Sequence, residues 1–395
     1  MLQSRLTLLY TNIGRGHPFY LDGIAEVLLN KGRMSLVRRQ TDVFEISQGM
    51  SLLGWKAVRK LYRLGATEGL IGRIYSSLRR NGNYNRGGIL QKVLGSSLCE
   101  VYAGDSDVLV VAHPSLVAML ANKKNLVYQH GELVTPREAV ALGAEYVLVP
   151  TESVAETFHD NGYDRNQVIV TGLCIEPSLT SWAAELIEDR LLRINGQEPL
   201  TGAYFSSGAE PKAHVEKLVH AAVQAVLSGG RVILFARQGG RFLQKATTAF
   251  TQAELEYGLI DSGSLIPAEL PPALVVATES RRQEDIFVSR FFPHFDYFMA
   301  PSHERTNWAV GLGLPMFIVG PSFGPFSPLN RQLLLDAGVA EPIDSVKNTK
   351  FFGRQLRQLR QHGGLNDMAR AGWGKYRING FEIAAGFLTN LCEQS

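Results

Sequence analysis

The chain has 395 residues, which is too long for one ordinary hydrophobic core and predicts two domains. Hydrophobic residues make up 45% of the sequence and charged residues 19%, a composition that excludes an intrinsically disordered chain. The net charge is +3, and no apolar run reaches the roughly 18 residues of a membrane-spanning helix, so we expect a protein that is soluble or lies on a membrane surface. The three cysteines are far apart and predict thiols in a reducing cytoplasm.

Apolar segments typical of buried strands alternate with helical segments along the whole chain. The predicted strands lie at residues 5–12, 107–113, 124–130, 145–150, 167–172, 201–208, 231–240, 272–278, 295–302 and 315–322. This alternation predicts an α/β protein with two Rossmann-like parallel sheets. We place the first domain at residues 1–178, a polar linker at 179–199 and the second domain at 200–375.

A glycine-rich turn follows the first predicted strand and contains Gly14, Gly16 and His17. Glycines at a strand-to-helix turn let the backbone approach a ligand closely, and the helix N-terminus adds free N–H groups. A histidine at that position is a candidate general base at neutral pH. The alternative interpretation is an ordinary tight turn that carries a surface histidine.

A strongly basic stretch covers residues 51–100, which contain nine lysine or arginine residues and only two glutamates. The net charge of this stretch is +7, which leaves −4 for the other residues and points to an anionic partner surface. Aromatic and aliphatic residues lie among the cations, as in helices that bind a membrane interface. The predicted membrane residues are Trp55, Lys56, Arg59, Lys60, Arg63, Arg73, Arg79 and Arg80. A solvated basic helix and a nucleic-acid surface are the alternatives, but no nucleic-acid motif accompanies the stretch.

Two further histidines end predicted strands of the first domain: His113 follows one strand, and His130 is followed by Gly131 and Glu132. Ligands of open α/β sheets bind beyond the carboxyl ends of the strands, so His17, His113 and His130 are expected on one rim. Their spacing does not match that of metal ligands on a helix, and we predict no metal site. The histidines at 159, 214, 220, 294 and 362 have no supporting residues and are expected to be surface or packing residues.

Residues 11–28, TNIGRGHPFYLDGIAEVL, resemble the Gly-x-Gly-His loop and helix of monogalactosyldiacylglycerol synthases, processive diacylglycerol glycosyltransferases and the transferase that glycosylates lipid I. Residues 107–116 and 145–179 also resemble these enzymes, and the match covers most of residues 1–178. The resemblance implies a GT-B fold, with two Rossmann-like domains facing each other across a cleft and residues 376–395 as a helix that crosses back to the first domain. It implies that His17 is the catalytic base, with Gly14, Gly16, His113, His130 and Glu132 lining the acceptor cleft. The family has an acidic residue where this chain has Gln129, and Glu132 is the candidate substitute.

The same resemblance places the nucleotide-sugar donor on the second domain. The implied donor residues are Ser206, Ser207, Gly208, Arg237, Ser302, Glu304, Arg305, Thr306 and Asn330. This chain departs from the family at one position in particular: Trp308 stands where the family has the glutamate that binds the ribose. Glu304 is the candidate replacement, with Arg305 reaching a phosphate.

The function expected from the sequence is metal-independent transfer of a sugar from a nucleotide-sugar, with a UDP-sugar as the expected donor, to a lipid hydroxyl at the inner face of the cell membrane. The nucleotide-sugar is a co-substrate, and no cofactor and no nucleic acid are expected. Two alternatives stay open: a non-catalytic nucleotide-sugar-binding or regulatory protein on the same scaffold, and a soluble enzyme that modifies a sugar nucleotide.

Overall fold

The structure, a computed structural model, describes residues 4–13, 16–65, 85 and 88–394. The strands are β1 Leu6–Tyr10, β2 Val37–Asp42, β3 Val108–Val111, β4 Leu126–Gln129, β5 Tyr146–Val149, β6 Val168–Val170, β7 Thr201–Phe205, β8 Arg231–Arg237, β9 Tyr257–Ile260, β10 Ala273–Thr278, β11 Tyr297–Ala300, β12 Met316–Val319 and β13 Ala340–Ile343.

The helices of the first half are α1 Gly16–Asn30, α2 Val43–Ile46, α3 Gly49–Gly65, α4 Ile89–Tyr102, α5 Pro114–Met119, α6 Glu152–His159, α7 Pro177–Thr180 and α8 Ala183–Asn195. Those of the second half are α9 Lys212–Leu227, α10 Arg241–Gln252, α11 Arg281–Phe291, α12 Thr306–Gly311, α13 Ser327–Asp336, α14 Val346–Thr349, α15 Phe352–Gln361, α16 Gly364–Ala371 and α17 Gly380–Gln394. Short 3₁₀ helices lie at Met34–Leu36, Arg137–Ala139 and Phe292–His294.

The chain divides into two compact units. The first unit contains Met1–Pro177, Gly324–Phe326 and Tyr376–Ser395. The second contains Ser178–Phe323 and Ser327–Lys375. Each unit has one sheet, and every strand pair in both sheets is parallel.

The sheet of the first unit has the strand order β2-β1-β3-β4-β5-β6. Both of its faces are covered, since all four residues of β3 and all four residues of β4 are buried. On one face α17 packs against α1, with the rings of Phe19 and Phe381 5.5 Å apart. Gly23 permits this close approach, since a Cβ atom there would lie 2.2 Å from the Phe381 ring. The last helix of the chain is therefore part of the first unit's core.

The sheet of the second unit has the strand order β13-β12-β11-β7-β8-β10-β9. The strands β8, β10 and β9 lie on one side of β7, and β11, β12 and β13 lie on the other side. The strand order therefore reverses between β7 and β11. In open α/β sheets such a reversal opens a crevice at the carboxyl ends of the two strands. The sheet topology therefore locates one candidate ligand site within this unit.

The segment 179–199 was expected to be a linker, but it contains α8, and the side chains of Ile187 and Ile194 lie in the core of the second unit. Arg190 of this helix is fully buried. Its guanidinium donates hydrogen bonds to the carbonyl oxygens of Phe295, Leu312 and Gly313 at 2.6–3.1 Å. The sequence prediction missed this helix because its charged face gives the segment a polar composition, although the opposite face is apolar.

None of the helices within the described part of the chain is long and apolar enough to cross a membrane.

Replacing Arg190 by Met should destabilise the protein by about 3 kcal/mol, because three buried carbonyl groups lose their donor. The measurement is the urea midpoint of unfolding of the variant against the wild type. Arg354→Met, at an exposed position of the same unit, is the matched control and should leave the midpoint nearly unchanged. Equal midpoints for Arg190→Met and the wild type would contradict this role of Arg190.

Candidate active site

His17 lies in the first turn of α1, directly beyond the end of β1, and its ring is half-buried. Its Nδ1 atom lies 2.6 Å from the carbonyl oxygen of Ala112, at the end of β3. A carbonyl oxygen only accepts hydrogen bonds, so Nδ1 carries a proton, and whenever the ring is neutral Nε2 carries the lone pair. This tautomer presents Nε2 as the basic nitrogen, as a general base requires. Gly14 lies outside the described residues.

His113, two residues after the end of β3, lies next to His17. Its Nδ1 atom accepts a hydrogen bond from the backbone N–H of Ser115 at 3.0 Å and lies 2.6 Å from the Ser115 hydroxyl oxygen. His113 thereby caps the N-terminus of α5. Its ring meets the His17 ring edge-on, with the two centroids 4.3 Å apart. His113 therefore holds the position of His17 while its own Nδ1 is engaged in the cap.

His130 follows β4 and is almost completely buried. Its Nδ1 atom lies 3.0 Å from the Tyr128 hydroxyl, and its Nε2 atom lies 2.7 Å from the Thr135 hydroxyl. Burial, reinforced by the neighbouring His17, lowers the pKa of His130 to about 3. His130 is consequently neutral at physiological pH and does not compete with His17 for a proton.

Glu132 reaches the first turn of α1. A Cβ atom built on Gly16 would lie 3.8 Å from both Glu132 Oε1 and Tyr20 Oη, so the three residues adjoin. Gly131 lets the chain pass the Tyr20 ring, because a Cβ atom there would lie 2.2 Å from it. Gln129 instead donates a hydrogen bond to Cys174 Sγ at 3.4 Å and is fully buried. The structure thus brings Glu132, and not Gln129, to the turn that carries His17.

In the second unit, Ser302 and Asn330 tie the end of β11 to α13. The hydroxyl of Ser302 donates to the carbonyl oxygen of Ser327 at 2.9 Å, and Asn330 Nδ2 donates to the carbonyl oxygen of Ser302 at 3.3 Å. All three residues are buried. Their observed contacts hold the two elements together.

Arg305 was expected to reach a phosphate, and the structure corrects this expectation. Its guanidinium is buried, forms an ion pair with Glu284 and lies 3.6 Å from Glu304. It also stacks over the Phe205 ring, 4.0 Å from the centroid. The charge of Arg305 is compensated inside the unit, and Glu304 takes part in that compensation. Thr306, the next residue, is also buried.

Trp308, at the position of the family's ribose-binding glutamate, is a core residue. Its indole packs edge-on against the rings of Phe205, Phe292 and Phe298 at 5.3–5.6 Å. Only 1% of its surface is exposed. Trp308 therefore belongs to an aromatic cluster in the core of the second unit.

The turn after β7 is the most open part of the expected donor region. Ser207 is half-buried, Gly208 is exposed, and a Cβ atom on Gly208 would meet no atom within 4 Å. Arg237 is exposed at the end of the neighbouring strand β8. Ser207 and Gly208 follow β7, beside the reversal of strand order, and Arg237 lies one strand further from it.

The predicted membrane stretch is described only in part. Arg73, Arg79 and Arg80 lie outside the described residues, as does the side chain of Arg63. Lys56 and Lys60 are exposed on α3, and Arg59 lies over the Phe44 ring at 4.2 Å.

Trp55 does not fit the prediction of an interfacial anchor, because it is 2% exposed and its Nε1 donates to the carbonyl oxygen of Leu94. It joins α3 to α4 within the first unit.

Within the described ranges, no group of three or more histidine, cysteine, aspartate or glutamate side chains is arranged to hold a metal ion.

Solved structures of similar fold include UDP-GlcNAc 2-epimerases. The enzyme from Neisseria meningitidis bound to UDP-GlcNAc superposes with a TM-score of 0.53 at 11% identity, over 99% of this chain and 100% of that one. The Staphylococcus aureus MnaA–UDP complex gives 0.56 at 10% identity, over 100% and 96%. A putative UDP-N-acetylglucosamine 2-epimerase from Listeria monocytogenes gives 0.55 at 12% identity, over 98% and 95%. No family model matches the sequence, and no curated protein matches it.

At these identities the likeness establishes the fold and no more. The chain has the α/β fold of the GT-B class, with two Rossmann-like parallel sheets, as the sequence predicted.

Two histidines of the second unit, His214 and His303, were not among the predicted site residues. His214 was assigned to the surface or to packing, and the structure buries it completely with a hydrogen bond to the loop after β12. His303, which follows Ser302 at the end of β11, was not considered. Burial lowers the pKa values of both. The position of His303 after a predicted strand was the available signal, whereas nothing near His214 in the sequence indicates its partner.

Acid should destabilise the fold through His130. Its folded pKa is about 3 and its unfolded pKa is about 6.5, so below pH 6.5 the unfolded chain binds a proton that the native state does not. The stability contribution of the neutral ring is complete above pH 6.5 and declines as the pH falls towards 3. In His130→Gln, the decline of unfolding free energy between pH 6 and pH 4 should be shallower by about 1.4 kcal/mol per unit.

Urea unfolding at several pH values measures this slope. His220→Gln, at an exposed position, is the control and should keep the wild-type slope. A His130→Gln slope as steep as that of the wild type would contradict the assignment of a neutral His130.

Proposed function

We propose that this protein is an enzyme that acts on a nucleotide-activated sugar and uses His17 as its general base. The observation that carries the proposal is the hydrogen bond from His17 Nδ1 to the Ala112 carbonyl oxygen, which makes Nε2 the basic nitrogen. The neighbouring His113 and His130 are engaged in a helix cap and in two hydroxyl contacts. His17 is therefore the histidine of this cluster best suited to proton transfer.

The nucleotide is proposed to bind the second unit, at the reversal of strand order between β7 and β11. The open turn Ser206–Ser207–Gly208 leads into α9, whose N-terminus has no side-chain cap. Uncapped N–H groups and the positive end of the helix dipole favour a diphosphate. Complexes of the similar N. meningitidis and S. aureus proteins contain UDP-GlcNAc and UDP, which makes UDP the first nucleotide to test.

The better supported reaction is modification of the sugar nucleotide itself. Full-length likeness to UDP-GlcNAc 2-epimerases supports it, as does the burial of Trp55, which removes one expected membrane anchor. Inversion at the sugar carbon next to the anomeric carbon breaks a C–H bond while UDP leaves the anomeric carbon, so that the electron pair forms a C=C bond. UDP then adds back to the anomeric carbon as a proton returns to the opposite face of the neighbouring carbon. His17 would remove the proton, and the adjoining Glu132 carboxyl group is the candidate for returning one.

The second candidate is glycosyl transfer to a lipid hydroxyl by a cytoplasmic protein bound to the inner face of the membrane. One observation favours it: exposed apolar residues lie on α3 and at the start of α4, close in sequence to exposed cations. Leu53, Leu61, Ile89 and Leu90 are each more than half exposed. In this reaction His17 would deprotonate the attacking hydroxyl and UDP would leave.

His17→Ala should lower turnover by at least about 100-fold, since a positioned base contributes that much or more, and should leave UDP affinity within about twofold. The assay incubates UDP-GlcNAc or UDP-glucose in D₂O, with and without diacylglycerol liposomes, and follows products by mass spectrometry and NMR. Deuterium in an isomeric sugar nucleotide identifies modification, whereas free UDP with a new glycolipid identifies transfer. His362→Ala, at an exposed position, is the control. Unimpaired turnover in His17→Ala would remove His17 from the mechanism.

The lipid candidate makes a separate prediction. Reversing two exposed cations, Lys56→Glu with Lys60→Glu, should reduce binding to phosphatidylserine liposomes at least tenfold, because each cation near an anionic surface contributes about 1 kcal/mol. Flotation of liposomes measures the bound fraction. The pair Lys245→Glu with Lys347→Glu makes the same charge change at exposed positions of the second unit and should have little effect. If the wild-type protein does not bind these liposomes, glycosyl transfer to a membrane lipid is excluded.

A further inference from the structure

The first turn of α9 contains a histidine that holds the loop after β12. His214 has no exposed surface, and its Nε2 lies 2.7 Å from the carbonyl oxygen of Pro321. One turn later on the helix, the buried Lys217 donates a hydrogen bond to the carbonyl oxygen of Gly320. The loop 320–323 is thereby joined to α9 by two adjacent side chains.

The other ring nitrogen of His214 has no hydrogen-bond partner among the residues that the structure describes. Because the Pro321 carbonyl only accepts, Nε2 carries a proton. Burial, with smaller contributions from His303 and Lys217, lowers the pKa of His214 to about 4, so the ring is neutral and Nδ1 carries a lone pair. A buried acceptor without a donor is unfavourable, so a donor group of a ligand would stabilise it.

Two serine hydroxyls, at the ends of β7 and β12, also lack a hydrogen-bond partner among the described residues. Ser322 Oγ and Ser206 Oγ are buried, and within the described part of the chain neither has a hydrogen-bond partner. Ser206 follows β7 and Ser322 follows β12, and His303 follows β11, the strand between them. The Phe323 ring packs against the His214 ring, with centroids 5.1 Å apart. The unsatisfied atoms therefore lie at the carboxyl edge of three adjacent strands, next to the reversal of strand order.

The chemistry of these atoms indicates the ligand group that they fit. A neutral imidazole lone pair needs a donor, and a serine hydroxyl can donate or accept. An ionised phosphate oxygen has no proton to give to Nδ1. A sugar hydroxyl donates through its hydrogen and accepts through its oxygen, so it satisfies both kinds of atom.

We propose that His214 Nδ1 accepts a hydrogen bond from a hydroxyl group of the sugar, and that Ser322 Oγ and Ser206 Oγ bind neighbouring sugar oxygens. This assignment rests on the proposed function and adds the residues that recognise the sugar half of the nucleotide-sugar. It predicts that His214 distinguishes a nucleotide-sugar from the free nucleotide.

Calorimetric titration with UDP, UDP-GlcNAc and UDP-glucose tests the assignment. In His214→Gln, the amide can still donate to the Pro321 carbonyl, but the ring acceptor is lost. The Kd for the better-bound nucleotide-sugar should rise about tenfold, while the Kd for UDP should stay within about twofold. Ser322→Ala should also raise the Kd for the nucleotide-sugar and leave the Kd for UDP nearly unchanged. This substitution perturbs the core less than His214→Gln does. His220→Gln, at an exposed position on the same helix, is the matched control.

The outcomes separate this assignment from the proposed function. Equal weakening of UDP and nucleotide-sugar in both variants would move the contact to the nucleotide and overturn the assignment. Unchanged affinities in both variants, with UDP and nucleotide-sugar still bound, would also overturn it and leave the proposed function standing. A wild-type protein that binds neither UDP nor the nucleotide-sugars at millimolar concentration would refute the proposed function, and the assignment would fall with it.

Discussion

The hydrogen bond between His17 Nδ1 and the Ala112 carbonyl oxygen joins the first turn of α1 to the end of β3. These elements are far apart in the sequence, and the bond forms because β1 and β3 are neighbours in a parallel sheet. It fixes the tautomer as well as the position of the ring. The edge-on contact between the His17 and His113 rings and the proximity of Glu132 to Gly16 are two further contacts at this turn. The chemistry proposed for the first unit depends on this bond.

In the second unit, buried cations are used chiefly to hold the structure together. Arg190 donates to three carbonyl oxygens, and Arg305 is paired with Glu284 beneath the Phe205 ring. Such groups are stable in a core because most of their charge and hydrogen bonds are compensated internally, although Arg190 Nη2 and Arg305 Nε have no hydrogen-bond partner among the described residues. Ser206 and Ser322, at the ends of β7 and β12, differ because the hydroxyl is the only polar group of each side chain and has no partner within the described residues.

The sequence predicted the inner strands and the strand-end histidines well, because both follow from local patterns. Apolar runs mark strands that are buried on both faces, and parallel strands bring their carboxyl ends to one edge. The edge strand β2 was missed, since Val37–Asp42 exposes Arg38, Arg39 and Gln40. An exposed strand lacks the apolar run on which the prediction depends.

The errors at individual residues have one common cause, which is a partner distant in the sequence. Trp55 is buried by contact with Leu94, and Arg305 is paired with Glu284. Local composition carries no information on such contacts, so an aromatic residue among cations was assigned to a membrane and a paired arginine to a phosphate. Tertiary packing decides these assignments.

The tautomer of His17 at neutral pH is the most direct test of the account. A long-range ¹H–¹⁵N correlation spectrum, with the His17 signals assigned from His17→Gln, reports which ring nitrogen is protonated. The account predicts a neutral ring protonated at Nδ1, with an unprotonated Nε2. A ring protonated at Nε2 alone, or a doubly protonated ring throughout the neutral range, would contradict it.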